Sequence, residues 1–178
     1  MQVPAHHLVK HTSLQPPFPE HLEIAIFGKG CFWGVEESFW ELDGVFTTAV
    51  GYAGGDLEHP TYAEVCTGDT GHAEVVLVVY DPAVIRYERL LERFWKGHRP
   101  IQSNGSLAPS RDQYRSVIFA STPEQLSAAS ESRDQYQKRL SSSQRITTVI
   151  APAPVFYYAE PKHQQYFAKQ ASGRRGLA

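Results

Sequence analysis

Cysteine is almost absent. There are two, Cys31 and Cys66, in 178 residues, too few for the disulfide framework of a small secreted fold. In a reducing compartment such thiols serve catalysis or nothing. Excess charge is absent as well. A net charge of −2 gives no reason to expect a nucleic-acid partner or an anionic membrane surface. No apolar run is long enough to span a bilayer, and Met1 to Glu20 lacks the basic start and apolar centre of a secretory leader. The expectation is therefore a cytoplasmic protein. Cys and His are not spaced for zinc, and no glycine-rich phosphate loop appears. No metal and no cofactor are expected. Neither a repeat nor a linker divides the chain, whose length suits one domain with a sizeable core.

What is present is organised around Gly28-Lys29-Gly30-Cys31-Phe32-Trp33-Gly34. The apolar run Ile24 to Phe27 before it reads as a buried strand. After it, Phe32, Val35, Phe39 and Leu42 fall at helical spacing, and Gly44 suits a helix end. Cys31 thus sits where strand gives way to helix. There, free backbone N–H groups and the positive end of the helix dipole favour a thiolate. Phe32 and Trp33 beside it suggest an apolar wall for a small uncharged group. The alternative is a buried structural cysteine at a glycine-rich turn.

Taken in order, Met1 to Glu20 is rich in His and Pro without periodicity and predicts an irregular arm. His6, His7 and His11 within it read as solvated rather than as a metal cluster. A catalytic domain follows over residues 21–170, then a tail over 171–178. Strands are predicted at Leu22 to Phe27, Val45 to Tyr52, His72 to Tyr80, Arg115 to Ala120 and Ile146 to Ala151. Helices are predicted at Cys31 to Asp43, Thr61 to Cys66 (entered through Pro60 as a first-turn residue), Tyr87 to Lys96, Pro123 to Leu140 and Glu160 to Lys169. Gly97 to Asp112 reads as a long functional or mobile loop, and Pro152 to Tyr158 as irregular. Strands separated by helices predict an α+β fold, a two-layer α/β sandwich. Its expected form is a ferredoxin-like plait with a mixed sheet and peripheral helices.

Glu74 opens the most apolar strand. A carboxylate there is costly to ionise, so its pKa should rise and make it a proton donor near neutral pH. A structural salt bridge is the other reading. Tyr62 and Tyr114 can each donate a phenolic hydrogen bond, and each alone reads equally as core or rim. His72, His98 and His163 read as structural, hydrogen-bonded histidines.

Gly30-Cys31-Phe32-Trp33-Gly34 resembles the signature of the A-type peptide methionine sulfoxide reductases. So, in family order, do Gly51 to Gly55, Pro60-Thr61-Tyr62, Val65 to Val75, Tyr80-Asp81-Pro82, Phe94-Trp95, Gln113 to Ser116, Ala159-Glu160 and His163 to Tyr166. The resemblance spans Ile24 to Phe167. It implies that Cys31 attacks the sulfoxide sulfur and that Glu74 protonates the sulfoxide oxygen. Tyr62 and Tyr114 would bond that oxygen, and Phe32 and Trp33 would hold the ε-methyl group. The product is a cysteine sulfenic acid, and the A type is associated with the S epimer, in proteins or free.

Two departures from the family stand out. Asn104 to Arg111 matches poorly, with Pro109 at the family's aspartate position, and Arg99 follows His98 where an aspartate is usual. The tail Ala171 to Ala178 also lacks the resolving cysteines many members carry. Cys66 reads as a buried helix residue, so an external thiol such as thioredoxin, glutaredoxin or glutathione is the expected reductant of a monomeric enzyme. A weak sulfoxide-binding relative, and a thiol hydrolase with His72 as base, are the alternatives.

Overall fold

The computed structural model describes residues 3–102 and 112–175. Within them the elements run β1 (Glu23–Gly28), α1 (Phe32–Trp40), β2 (Val45–Ala53), α2 (Tyr62–Cys66), β3 (Ala73–Tyr80), α3 (Tyr87–Trp95) and β4 (Ile101–Gln102). They continue β5 (Val117–Ala120), α4 (Pro123–Gln137), β6 (Arg145–Ile146), β7 (Val149–Pro152), β8 (Phe156–Tyr158) and α5 (Tyr166–Arg175). Six strands form one mixed sheet in the order β7-β5-β1-β3-β2-β8, and β4 pairs with β6 in a two-stranded sheet. Only β5 and β7 are parallel within the large sheet; its other pairs are antiparallel. The fold is therefore of mixed α+β type.

All eight residues of β3 are buried, because both faces of this central strand are covered. Val76, Val78 and Tyr80 share one face with Ala25 and Phe27 of β1. They pack against Phe39 of α1, Leu90 and Phe94 of α3 and Ala129 of α4. On the other face Ala73 and Val75 meet Ile26, Val117 and Phe119. The longer apolar cluster lies under the helices, and Glu74 points to that side, opposite Tyr52 in register.

Several elements differ from expectation for tertiary reasons. The segment Ile146 to Ala151 is two strands. Arg145–Ile146 pairs with β4, and Val149–Pro152 pairs with β5. Between them Thr148 Oγ1 bonds Ser116 Oγ at 2.8 Å. The stretch Pro152 to Tyr158 is not wholly irregular, since Phe156–Tyr158 extends the sheet as edge strand β8, and an edge tolerates the nearby prolines. Pro60 precedes the first turn of α2 instead of entering it. Thr61 is the N-cap, in a capping box with Glu64. The last helix starts at Tyr166, later than expected, because Gln164 and Gln165 are docked on the interior and Gln165 has φ +47°. The loop substitutions at Asn104 to Arg111, Pro109 included, lie outside the described residues, apart from the neighbouring Arg99. Among the described residues no helix is long and apolar enough to cross a membrane.

The arm before β1 is irregular, but its histidines are not all solvated. His7 and Leu14 are fully buried, and Thr12 Oγ1 donates to Phe46 O at 2.6 Å. Leu14→Ala should lower the unfolding free energy by about 2–5 kcal/mol, as for other buried leucines. An unchanged urea midpoint would return the arm to solvent.

Candidate active site

The turn Lys29-Gly30 joins β1 to α1, and Gly30 takes φ +107°, a conformation suited to glycine. It leaves Cys31 as the N-cap of α1, with the residue exposed and no side-chain cap bond. Two free N–H groups of the first turn are shared out. The Trp33 amide, on the second residue of the helix, favours the ionised Cys31 sulfur. Phe32 N donates to Glu74 Oε2 at 3.0 Å. The first amide of the helix that Cys31 caps thus holds the Glu74 carboxyl beside the thiol.

The close fit extends to the backbone. A side chain at Gly28 would come within 2.8 Å of Glu74 O, so β1 must carry glycine there. Glu74 N donates to Gln113 O at 2.7 Å, which pins the Tyr114 turn beside the acid. Tyr62 and Cys66 stand on successive turns of α2, and the Cys66 sulfur lies near enough to the Tyr62 hydroxyl to raise its pKa. Gln113 Nε2 reaches the same sulfur at 3.8 Å. Cys66 is therefore exposed and adjoins the site, not a buried helix residue.

Burial pushes the Glu74 carboxyl up to about 7, and the Phe32 N–H offsets only part of this. The thiol does not behave as its place at the helix end suggests. Partial burial of the sulfur raises the Cys31 pKa, the Trp33 N–H pulls it partly back, and the Glu74 charge raises it again. Burial, then the nearby Cys66 sulfur, keeps the Tyr62 hydroxyl protonated. At Tyr114 a bond from Gln113 pulls down, but partial burial and the charges of Glu74, Cys31 and Cys66 push the net pKa up. The two tyrosines, the two cysteines and the acid therefore feel one another.

Phe32 is 1% exposed and belongs to the main core, while Trp33 is partly buried against it. Trp33 stacks on Tyr166 with centroids 3.9 Å apart, and its Nε1 donates to His163 Nδ1 at 3.2 Å. The His163 ring packs against Tyr62 at a tilt of 37°, 4.5 Å between centroids. Tyr52 and Glu160 complete the support. Glu160 accepts from Tyr62 N at 2.7 Å and from Tyr52 Oη at 2.9 Å. Burial works against its charge, but these donors outweigh burial and hold it below the ordinary carboxylate range. None of Tyr52, Glu160, His163 and Tyr166 was singled out as a site residue from sequence. Their signal was their place in the Gly51 to Gly55, Ala159-Glu160 and His163 to Tyr166 blocks.

His72 does not serve the thiol. Its Nδ1 accepts from Gly55 N at 3.1 Å and its Nε2 bonds Leu57 O at 2.7 Å. His98 is bonded to Ser116 Oγ at 3.0 Å. Among the described residues no group of three or more His, Cys, Asp or Glu is placed to hold a metal ion.

A thiol at a helix start beside a near-neutral carboxylic acid and two phenols is an arrangement suited to acid-assisted thiol chemistry. The family model described as peptide methionine sulfoxide reductase matches residues 23–177. The peptide methionine sulfoxide reductase MsrA of Rhodospirillum centenum is 56% identical over 173 residues, 96% of this chain and 79% of that relative. Among solved structures, methionine sulfoxide reductase A of Corynebacterium diphtheriae superposes with a TM-score of 0.83 at 39% identity, covering 94% of this chain and 82% of that one. Mxr1 of Saccharomyces cerevisiae in reduced form gives 0.76 at 34% identity, covering 86% and 88%. Mxr1 in complex with Trx2 is like this chain in fold, with a TM-score of 0.57 at 24% identity over 88% and 93%. The chain belongs to the A-type peptide methionine sulfoxide reductases.

Since the Glu74 charge opposes ionisation of Cys31, Glu74→Gln should move the midpoint of Cys31 alkylation by iodoacetamide to lower pH. The measurement is the alkylation rate against pH in a Cys66→Ser background. A midpoint that stays or rises would mean the two groups do not interact.

Proposed function

We propose that this enzyme reduces the S epimer of methionine sulfoxide, protein-bound or free, through a sulfenic acid on Cys31. The observation that carries the assignment of roles is at the helix end: Cys31 caps α1, and the amide of the next residue, Phe32 N, holds the carboxyl of Glu74 at 3.0 Å. A sulfoxide oxygen leaves poorly until protonated, and a carboxyl near pKa 7 has its proton available at neutral pH. When Glu74 is protonated it also loses the charge that opposes thiolate formation at Cys31, so the acid and the nucleophile become competent together. The Tyr62 and Tyr114 hydroxyls, both held protonated, donate to the sulfoxide oxygen. Trp33 offers the methyl group its partly open face, and Phe32 backs it from the core.

The balance is simple. The Cys31 sulfur bonds to the sulfoxide sulfur as Glu74 protonates the oxygen; the S–O bond and then the new S–S bond break, and the hydroxyl ends on the Cys31 sulfur. The thiol becomes a sulfenic acid, oxidised by two electrons, and the sulfoxide becomes methionine. An external thiol then reduces Cys31, and thioredoxin is the favoured donor, since the relative Mxr1 has a complex with Trx2. Glutaredoxin and glutathione supply the same chemistry. The enzyme acts as a monomer in the cytoplasm, binding neither nucleic acid nor membrane, a setting in which two free cysteines stay reduced. The antiparallel order β5-β1-β3-β2, with α1 and α3 as crossovers, supports reading the centre of the sheet as a ferredoxin-like plait.

Turnover of dabsyl-methionine sulfoxide under dithiothreitol tests the reading. Cys31→Ser should abolish it, because an alcohol is hardly ionised near neutral pH. Glu74→Gln should lower it on the order of 10²–10⁴-fold, the span of general acid catalysis. Wild-type turnover should decline as pH rises through about 7, and that limb should vanish in Glu74→Gln. Retained turnover in Cys31→Ser, or an unchanged profile in Glu74→Gln, would remove the assigned role.

Recycling has its own test. Cys31 and Cys66 are both free thiols in the structure. One turnover without reductant should leave one free thiol per chain and a dimedone-reactive sulfenic acid. A Cys31–Cys66 bond found in a tryptic digest would make Cys66 the resolving residue instead.

A further inference from the structure

Glu36 is a fully buried carboxyl on α1, the helix that Cys31 caps, and the chemistry above makes no use of it. It gathers three donors. Gln165 N reaches Oε2 at 2.8 Å, Gln165 Nε2 reaches Oε1 at 2.7 Å, and the Thr48 hydroxyl reaches Oε1 at 3.1 Å. The chain of bonds has a direction. His7 Nδ1 accepts from Val9 N and Lys10 N, at 3.1 and 3.0 Å. The ring proton is therefore on Nε2, 2.9 Å from Thr48 Oγ1, and the hydroxyl is free to donate onward to Glu36.

Two of these bonds end on a single residue, Gln165, which holds φ +47°. That left-handed conformation is unfavourable for a residue with a side chain and persists only where surroundings impose it. The next residue inward, Gln164, is fixed separately, with Nε2 on Val50 O at 2.8 Å and Oε1 on Val50 N at 2.9 Å. In His163-Gln164-Gln165-Tyr166 the middle pair is thus bolted to the interior. The outer pair grips the Trp33 indole, His163 by a hydrogen bond and Tyr166 by stacking.

We propose that Glu36 is a positioning residue for the substrate pocket: by fixing Gln165 it sets His163 and Tyr166 against Trp33, the wall for the sulfoxide methyl group. The inference rests on the reading of Trp33 given above. It also makes the N-terminal arm part of the active enzyme, because His7 closes the far end of the network.

Single-turnover reduction of dabsyl-methionine sulfoxide, with substrate concentration varied, provides the test. Glu36→Gln replaces an acceptor oxygen by a donor facing other donors, so the wall loosens while Cys31 and Glu74 keep their amides. The half-saturating concentration should rise about tenfold, the equivalent of about 1.4 kcal/mol, with the limiting rate kept. Adding Gln165→Glu restores an acceptor opposite the new amide and should recover most of the loss. In a Trp33→Phe background Glu36→Gln should raise the half-saturating concentration little further, since both changes act through one wall. If Glu36→Gln does not fold, Gln165→Met should show the same rise, because it deletes only the side-chain half of the clamp. An unchanged half-saturation, a rise that adds fully to that of Trp33→Phe, or a fall in limiting rate alone would overturn the proposal. A wild-type protein without turnover would instead sink the reading of the reaction.

Discussion

A buried carboxyl held by the first free amide of a helix is the interaction on which the site depends. Glu74 lies on the central strand, under the helices, where ionisation is unfavourable. The hydrogen bond from Phe32 N fixes it without neutralising the effect of burial. Because that amide belongs to the turn that carries Cys31, the sheet and helix α1 cannot shift relative to each other without separating the Glu74 carboxyl from the Cys31 thiol. The absence of a side chain at Gly28 and the bond from Glu74 N to Gln113 O follow from the same constraint. Each lets another piece of backbone approach the acid closely.

This arrangement distributes proton affinity in a useful way. Helix ends usually favour a thiolate, but here the end is shared, and both groups have raised pKa values. On the proposed reading, a carboxyl that titrates near neutral pH and two protonated phenols are the groups from which a proton can be donated. The thiol becomes a better nucleophile when the neighbouring carboxyl is neutral. Differential stabilisation of a protonated sulfoxide over a neutral one is the expected result.

The rest of the site is assembled from a distant part of the chain. The segment from Glu160 to Tyr166 supplies the charge that holds Tyr52 and Tyr62 and the rings that hold Trp33. It does so without forming regular structure, through side-chain bonds to Val50 and Glu36. Such bonds carry no local pattern. That is why helical periodicity placed a helix start at Glu160, whereas α5 begins at Tyr166.

Local grammar by itself determined much. The apolar run at Ile24, the glycine turn and the helical spacing after Cys31 specified β1, the N-cap and α1. The unbroken apolar run after Glu74 specified a strand buried on both faces, but it left open whether Glu74 is an acid with a raised pKa or a structural ion-pair partner, which burial in the fold decided for the former. The ordered motif blocks specified the family. Only the tertiary structure decided three other matters. It showed that the Phe32 amide serves Glu74 and not the sulfur, since which acceptor comes within reach depends on how β3 packs under α1. It placed Cys66 at the surface beside Tyr62, where a five-residue helix has no periodicity long enough to indicate an inward face. It also buried His7 and Leu14 of an arm without pattern, because their partners, Thr48 and Tyr158 among them, lie far along the chain. Contacts between residues remote in sequence leave no period in the sequence, and these were the contacts that completed the site.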